Sequence, residues 1–335
     1  MVSLKTIAAD LGVSHALVSR VLNNRMGTTG VSAKTRARIL QRAKELGYRP
    51  NPLALALREG RRGAVGVCVH GVGVKGSDLV LRFIEGIGNA LSADGQHLLF
   101  HYFEAQKDFE ATCNQALVSK VDGLIIGGMA FPWMMNRLTE LKQAGVPIVL
   151  ACHGPVGKEF VNYQVDPEQQ GYIAAQHLIE IGCRRIAHLH ALDSRYNGYR
   201  RALSEAGISL DKRLVVQIPG PDYFVTQAGY DAAVKLLDSG VEFDAIQAQS
   251  DAQAVGVQRC LIERGIPRDR WPKLTGVDDS PIASEYALVP LTSVTAEMDT
   301  CAHMAAAALQ RMLQGEKAES QRVQPRLVVR ESTVP

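Results

Sequence analysis

Two short helix signals meet at a glycine near the start of the chain, and their spacing leaves few folds open. Ser3 is a good cap for a helix over 4–11 that places Ile7, Ala8 and Leu11 on one face. Gly12 ends it, where the chain needs a left-handed residue. After the apolar Val13, Ser14 caps a second helix running to about Asn23, with Leu17, Val18, Val21 and Leu22 pointing inward. His15, Ala16, Ser19, Arg20 and Asn23 then fall at i, i+1, i+4, i+5 and i+8, one continuous outward stripe. Two short helices joined by such a turn form a helix-turn-helix. A stripe of this kind faces the major groove of DNA, its N-terminal end nearest the bases. Ser32 caps a third helix to about Leu46, whose Ile39, Leu40, Ala43 and Leu46 are expected to close a three-helix core.

Charge supports this reading once it is divided by position. The whole chain of 335 residues has a net charge of only +3. Residues 1–62, however, hold twelve Lys and Arg against Asp10, Glu45 and Glu59, leaving 25 basic against 31 acidic residues for the remainder. A basic head on an acidic body is the pattern of a nucleic-acid-binding module joined to something that does not touch nucleic acid. A membrane-surface segment would need one continuous amphipathic helix with aromatic anchors, which residues 1–62 lack. After the third helix, Asn51 and Pro52 encode a short helix over 52–58 carrying Leu53, Leu55 and Leu57. A helix that short forms only when something packs on it. Its leucines suit wedges pushed between base steps from the minor groove.

The strings LKTIAADLGVSHALVSRVLNN, VSAKTRARIL and ELGYRPNPLALAL together resemble the DNA-binding head of the lactose-repressor (LacI/GalR) family, across residues 3–58. The resemblance implies that Ser14, His15, Ala16 and Arg20 lie at the base-reading end, and that Ser19, Asn23, Lys34 and Asn51 position the backbone, mostly on phosphates. Ala54 would sit in the hinge helix, and Leu57 matches the leucine that wedges into the centre of a palindromic operator. The loop over 24–30 is longer than the usual connection.

From Arg62 onward, apolar runs alternate with amphipathic stretches. Strands are expected at 64–69, 97–103, 122–127, 147–151, 185–190, 213–217, 244–248 and 272–277, with a final one at about 322–330. Helices are expected over stretches such as 78–93, 108–118, 167–181, 195–206, 225–238 and 251–264. This alternation indicates parallel sheets with helices on both faces, and so many strands call for two lobes. The fold class expected is a small all-α helix-turn-helix head plus an α/β two-lobed sensor that resembles periplasmic binding proteins. The expected boundaries are 1–50 for the head, 51–62 for hinge and linker, and 63–335 for effector binding and dimerisation.

Gly71, Gly73 and Gly76 form a literal G-x-G-x-x-G after a strand, which raises the alternative of an NAD(P)-binding enzyme or sensor. The acidic residue such a site needs is badly placed. Glu104 comes too late and Asp94 precedes the strand. A plain solute-binding protein is the other alternative, to which the basic head would be pointless. Arg195 opens an R-x-x-G-aromatic pattern, and Asp278 lies in G-V-D-D. The resemblance gives both to the effector, a sugar or related metabolite. A guanidinium can clamp hydroxyls or a carboxylate, and a carboxylate can accept two hydroxyls. Phe224 falls where an aromatic platform is common. Ser250 and Cys152 stand where the family has Asn and Asp, and Ala296 replaces a more polar residue, so a cleft with fewer polar partners than usual is expected.

His188 and His190 share a strand face without a metal-site spacing, and Trp133 belongs to cleft wall or interface. The six cysteines are scattered without C-x-x-C spacing, and no apolar run reaches membrane-spanning length. The expectation is therefore a cytoplasmic regulator, not an enzyme, without cofactor or metal. It would act as a homodimer on double-stranded DNA, probing a palindrome with two heads.

Overall fold

Ser3 and Thr6 cap the first helix, α1 (Leu4–Leu11), reciprocally. The Thr6 amide donates to Ser3 Oγ at 3.2 Å, and the Ser3 amide donates to Thr6 Oγ1 at 3.4 Å. Gly12 takes φ 64°, a conformation costly for a side chain, and turns the chain into α2 (His15–Leu22). Ser14 Oγ accepts from the Leu17 amide, and Ser32 caps α3 (Ala33–Glu45) through the Thr35 amide. Ile7, Ala8, Val18, Val21, Ile39 and Ala43 form the core of the head. Leu40, expected in that core, is 45% exposed, because the other side of α3 meets α1 and α2. Arg42 ties α3 to Asp10 of α1 at 2.7 Å.

The structure is a computed structural model that describes residues 3–22, 30–48, 62–71, 78–91, 96–154, 156–220 and 224–334. Met1–Gly63 and Ala64–Pro335 form separate units. Within the larger unit, the first lobe holds β1 (Ala64–His70), β2 (His97–Phe103), β3 (Gly123–Met129), β4 (Ile148–His153) and β5 (Val161–Val165). The second holds β6 (Ile186–His190), β7 (Val215–Gln217), β8 (Ala245–Gln247), β9 (Lys273–Asp278) and β10 (Thr292–Thr295). The C-terminal segment adds β11 (Gln321–Val323) to the first sheet and β12 (Leu327–Val328) to the second. The sheet orders are β11-β5-β4-β3-β1-β2 and β12-β10-β9-β8-β6-β7, the same winding twice. All neighbours run parallel except β10 and β12.

Helices cover both faces of the first sheet, so its central strands are apolar on both sides. In the first lobe Cys68, Leu124, Ile126 and Cys152 face one layer, while Val67, Val69, Ile125 and Val149 face the other. Helix Met298–Leu313 belongs to this second layer through Ala302, Ala305 and Leu309. The chain therefore passes between lobes at 165–167, 295–298 and 323–327. These passages are bonded to one another. Thr295 N donates to Arg326 O at 2.8 Å, Arg326 N to Thr295 Oγ1 at 2.9 Å, and Arg326 Nε to Glu297 Oε1 at 3.0 Å.

Three departures from the sequence reading have physical causes. The single final strand is two strands, one per lobe, separated where Pro325 removes a backbone donor. Strands β5 and β10 escape an apolar-run search because their sequences, VNYQV and TSVT, are largely polar. Buried Thr292 and Ser293 are satisfied by Arg330 O and by Asp251 Oδ1. The helix at Met298–Leu313 is Ala-rich and was likewise missing from the alternation.

Candidate functional site

In the head, α2 presents His15 and Ala16 exposed, with Ser19 and Arg20 half-buried beside them. Arg20 Nε donates to Ala16 O at 3.3 Å, which lays its side chain along the helix. Ser14 caps α2 and Lys34 is exposed on the first turn of α3. Asn23, Asn51, Ala54 and Leu57, with the loop over 24–29 and the short helix over 52–58, lie outside the described residues. So do Gly73 and Gly76 of the glycine motif, of which Gly71 follows β1.

In the larger unit a cavity of about 60 Å³ opens at the carboxyl ends of the strands, between the two lobes. The first lobe lines it with Val69, Leu79, Val80, Phe83, Met129 and His153. The second contributes Leu192, Arg195, Phe224 and Asp278, and the crossing segment adds Ala296 and Met298. Arg195 reaches the cavity because its helix, Asp193–Glu205, packs unusually close to helix Pro167–Glu180. A side chain on Gly198 would run into the Glu168 carbonyl, and one on Gly171 into the Arg195 carbonyl. The R-x-x-G spacing thus sets the arginine on the cleft side and the glycine at the helix contact, one turn apart.

The guanidinium is fixed from behind. Nε donates to Gln170 Oε1 at 3.1 Å and Nη1 to the Gln249 carbonyl, while the Phe224 ring centroid is 5.6 Å from Cζ. Gln170 Nε2 continues to the Thr295 carbonyl at 2.9 Å, on the strand that leads into the crossing. Gln249 Oε1 accepts from Leu192 N at 2.6 Å, and its Nε2 donates to His188 Nε2 at 2.7 Å. His188 Nδ1 consequently carries the proton and donates to Gln247 Oε1 at 3.3 Å. Burial holds His188 down to about 3, in the neutral form this arrangement needs. His190 is satisfied in the same way by Asp193 and Gln217.

Asp278 and Asp279 sit at φ 120° and 51°, backbone conformations that side chains rarely adopt. Arg82 Nη1, from the first lobe, donates to the Asp278 carbonyl at 3.0 Å, and Arg330 pairs with Asp279 at 2.7 Å. The turn leaves the Asp278 carboxyl on the cavity with no hydrogen bond among the described residues. Burial and the neighbouring Asp251 push this carboxyl well above the usual range, with Arg195 opposing. Burial also raises Asp251, to about 7, although Ser280 N, Ser280 Oγ and Ser293 Oγ all donate to it. With three donors on Asp251 and none on Asp278, the charge belongs on Asp251 and the proton on Asp278.

Two expected effector residues are elsewhere. Cys152 is completely buried in the core behind β4, where its Sγ contacts Ile126 O and its amide donates to Asn162. Alternation along the strand makes its neighbour His153 the cleft-facing residue instead. Ser250 caps helix Asp251–Glu263 through the Gln253 amide and donates to Phe224 O, so its hydroxyl is occupied and does not line the cavity. Trp133 stacks on Phe131 at 5.4 Å and packs against the first lobe's core rather than lining the cleft. His153 is the residue sequence reasoning missed. Burial and the charge of Arg195 lower it to about 4, and its Nδ1 is buried without a partner among the described residues.

Comparison with known proteins agrees with both units. Residues 3–51 match the model for bacterial regulatory proteins of the lacI family, and residues 175–333 match a periplasmic binding protein-like domain. The regulator CelR of Thermobifida fusca is 32% identical over 98% of each chain. The regulator AglR of Rhizobium meliloti is 31% identical over 100% of this chain and 95% of its own. Among solved structures, a CelR–cellobiose complex superposes with a TM-score of 0.72 at 29% identity, covering 99% of this chain and 100% of its own. A Lac repressor dimer bound to operator and an anti-inducer reaches 0.82 over 100% and 99%, at 22% identity, and shows the fold. The helix-turn-helix head, the twice-wound body and these full-length likenesses agree: the chain belongs to the LacI family of bacterial regulatory proteins.

Proposed function

We propose that the chain is a sequence-specific transcriptional repressor that works as a homodimer on a palindromic operator and is controlled by a small molecule held between its lobes. The observation that carries this is the pairing, in one chain, of a stripe of exposed His15 and Ala16 with half-buried Arg20 and a cleft into which Arg195 and Asp278 project. The proposed division is a head over 1–50, a hinge over 51–62 and a sensing body over 63–335. His15, Ala16 and Arg20 read bases, Ser14, Ser19, Asn23, Lys34 and Asn51 position the head, and Ala54 and Leu57 belong to a hinge helix that wedges the operator centre. Relatives titled as regulators, one solved with cellobiose and one with operator, support this reading over an NAD(P)-dependent enzyme or a plain solute-binding protein.

The test is selection of bound duplexes from a random pool by the full chain. A palindromic consensus is expected. Arg20→Ala should relax base preference at one position of each half-site by about 1–3 kcal/mol. Recovery of sequences with no shared motif overturns the reading. A chain that binds NAD measurably but no duplex favours the enzyme.

A further inference from the structure

We infer that the cleft takes a small monocarboxylic acid with an apolar body, an aryl or branched-alkyl acid, rather than a sugar. The inference rests on the reading of this cleft as the effector site. The wall from the first lobe is hydrocarbon at Val69, Leu79, Val80, Phe83 and Met129, and Met298 continues it. A ring hydroxyl laid against that wall would leave water and find no partner among the described residues of the wall, a heavy penalty repeated for each such hydroxyl. A phenyl or branched alkyl group gains by the same contact.

Among the described residues the polar lining is Arg195 and Asp278 from the second lobe and His153 from the first. Arg195, Asp278 and His153 are close enough that the charge of Arg195 acts on both of the others. Gln170 and Gln249 occupy Nε and Nη1 of Arg195, while Nη2 takes no hydrogen bond among the described residues. Its N–H groups, fixed in a planar fork, match a carboxylate. The unpartnered Nδ1 of His153 and the Asp278 carboxyl stand ready to donate to the same acid. Arg195 is the one cation lining the cavity among the described residues, and the Asp251 carboxylate lies near it. At most one negative charge of a ligand can face Arg195 there, and a phosphate dianion would be further disfavoured by the nearby carboxylate. A cavity of about 60 Å³ is several times the ~10–15 Å³ that a single water needs, and suits a compact acid.

Calorimetric titration of the full chain with phenylacetate and isovalerate tests this, with phenylacetamide, benzyl alcohol, ribose and cellobiose as comparators. Saturable binding of both acids is expected, at least about tenfold tighter than the amide or alcohol, with no heat from the sugars. Arg195→Gln should erase the preference for acid over amide. The wild-type acid-to-amide ratio decides the matter if that variant fails to fold. Equal affinity for acid and amide, sugar binding in place of acid, or no acid binding by folded protein each overturns the inference. The same titrations repeated with the selected operator separate the two readings. Acid binding that leaves operator affinity unchanged keeps the ligand class and removes effector control. A sugar that shifts operator affinity while the acids do nothing keeps effector control and removes the ligand class.

Discussion

The two lobes wind their sheets in the same order, yet they fill them differently. The first lobe meets the cleft with aliphatic and aromatic side chains, and among the described residues His153 is its one titratable lining residue. The second buries two hydrogen-bonded sets of polar groups behind the cleft, one of His188, Gln247, Gln249 and, through Arg195, Gln170, the other of Asp251 with the hydroxyls of Ser280 and Ser293. Identical topology thus supports a greasy wall and a hydrogen-bonded wall facing each other. The difference teaches that the fold provides the place for a ligand, while the side chains behind each wall decide what can bind. A packed apolar wall fails by cavity formation, and a polar one by leaving donors and acceptors unsatisfied.

Substitutions in each lobe can break that comparison. The largest effect is expected for Phe83→Ala, which empties a fully buried ring site against Gly127 and should cost about 3–5 kcal/mol in denaturant unfolding. Hydrogen exchange should localise the loss to the first lobe, and a spread over both lobes would deny their separate cores. Asp251→Ala strands three donors in the second lobe, with an expected cost of about 3 kcal/mol. A cost below about 1 kcal/mol would mean that the hydroxyls simply re-pair. Arg195→Ala frees only the Gln170 and Gln249 oxygens beside the cavity, so about 1–2 kcal/mol is expected from the same melts.

Acidification sharpens the contrast further. His153 is lowered from 6.5 to about 4, so its contribution to stability is present above pH 6.5 and lost as pH falls toward 4. His188, held near 3, acts with the same sign. Asp251 is raised from 3.8 to about 7, and Asp278 is raised too, so their contribution is favourable at low pH and is lost as pH climbs through that window. Asp251→Asn should therefore make the melting temperature fall more steeply from pH 7 to pH 4, and His153→Gln less steeply. Parallel profiles for both variants would contradict these assignments. Least affected should be Arg42→Ala in the head, whose ion pair with Asp10 is solvent-exposed, with no resolvable change in melting.

Much of this was legible because it is local. Ser3, Gly12, Ser14 and Ser32 announce the ends of their helices through interactions three or four residues long. Apolar runs reveal the buried strands. Leu40 was misjudged because only the packing of α3 on both other helices decides which edge of its apolar stripe stays wet. The cleft was half legible: Arg195 and Asp278 stand in recognisable spacings, and the scarcity of polar partners was foreseeable at Ala296. Gln170 was not, since its partner Thr295 is 125 residues away. Cys152 and His153 show how little separates a right from a wrong assignment on a strand, where one residue reverses the direction of a side chain.

The split tail carries a consequence for how the body is made. Every strand of the second lobe except β12 lies within residues 186–295, a nearly continuous stretch. The first lobe begins at Ala64 but receives the second of the two helices that cover one of its faces, and the edge strand β11, only after residue 297. On a ribosome the lobe begun first would be completed last, leaving Ile125 and Val149 with only part of their cover, from helix Leu79–Leu91, until helix Met298–Leu313 emerges. A nascent chain halted before Met298 would therefore hold a largely finished second lobe beside a half-covered apolar sheet, the kind of surface that chaperones and proteases recognise.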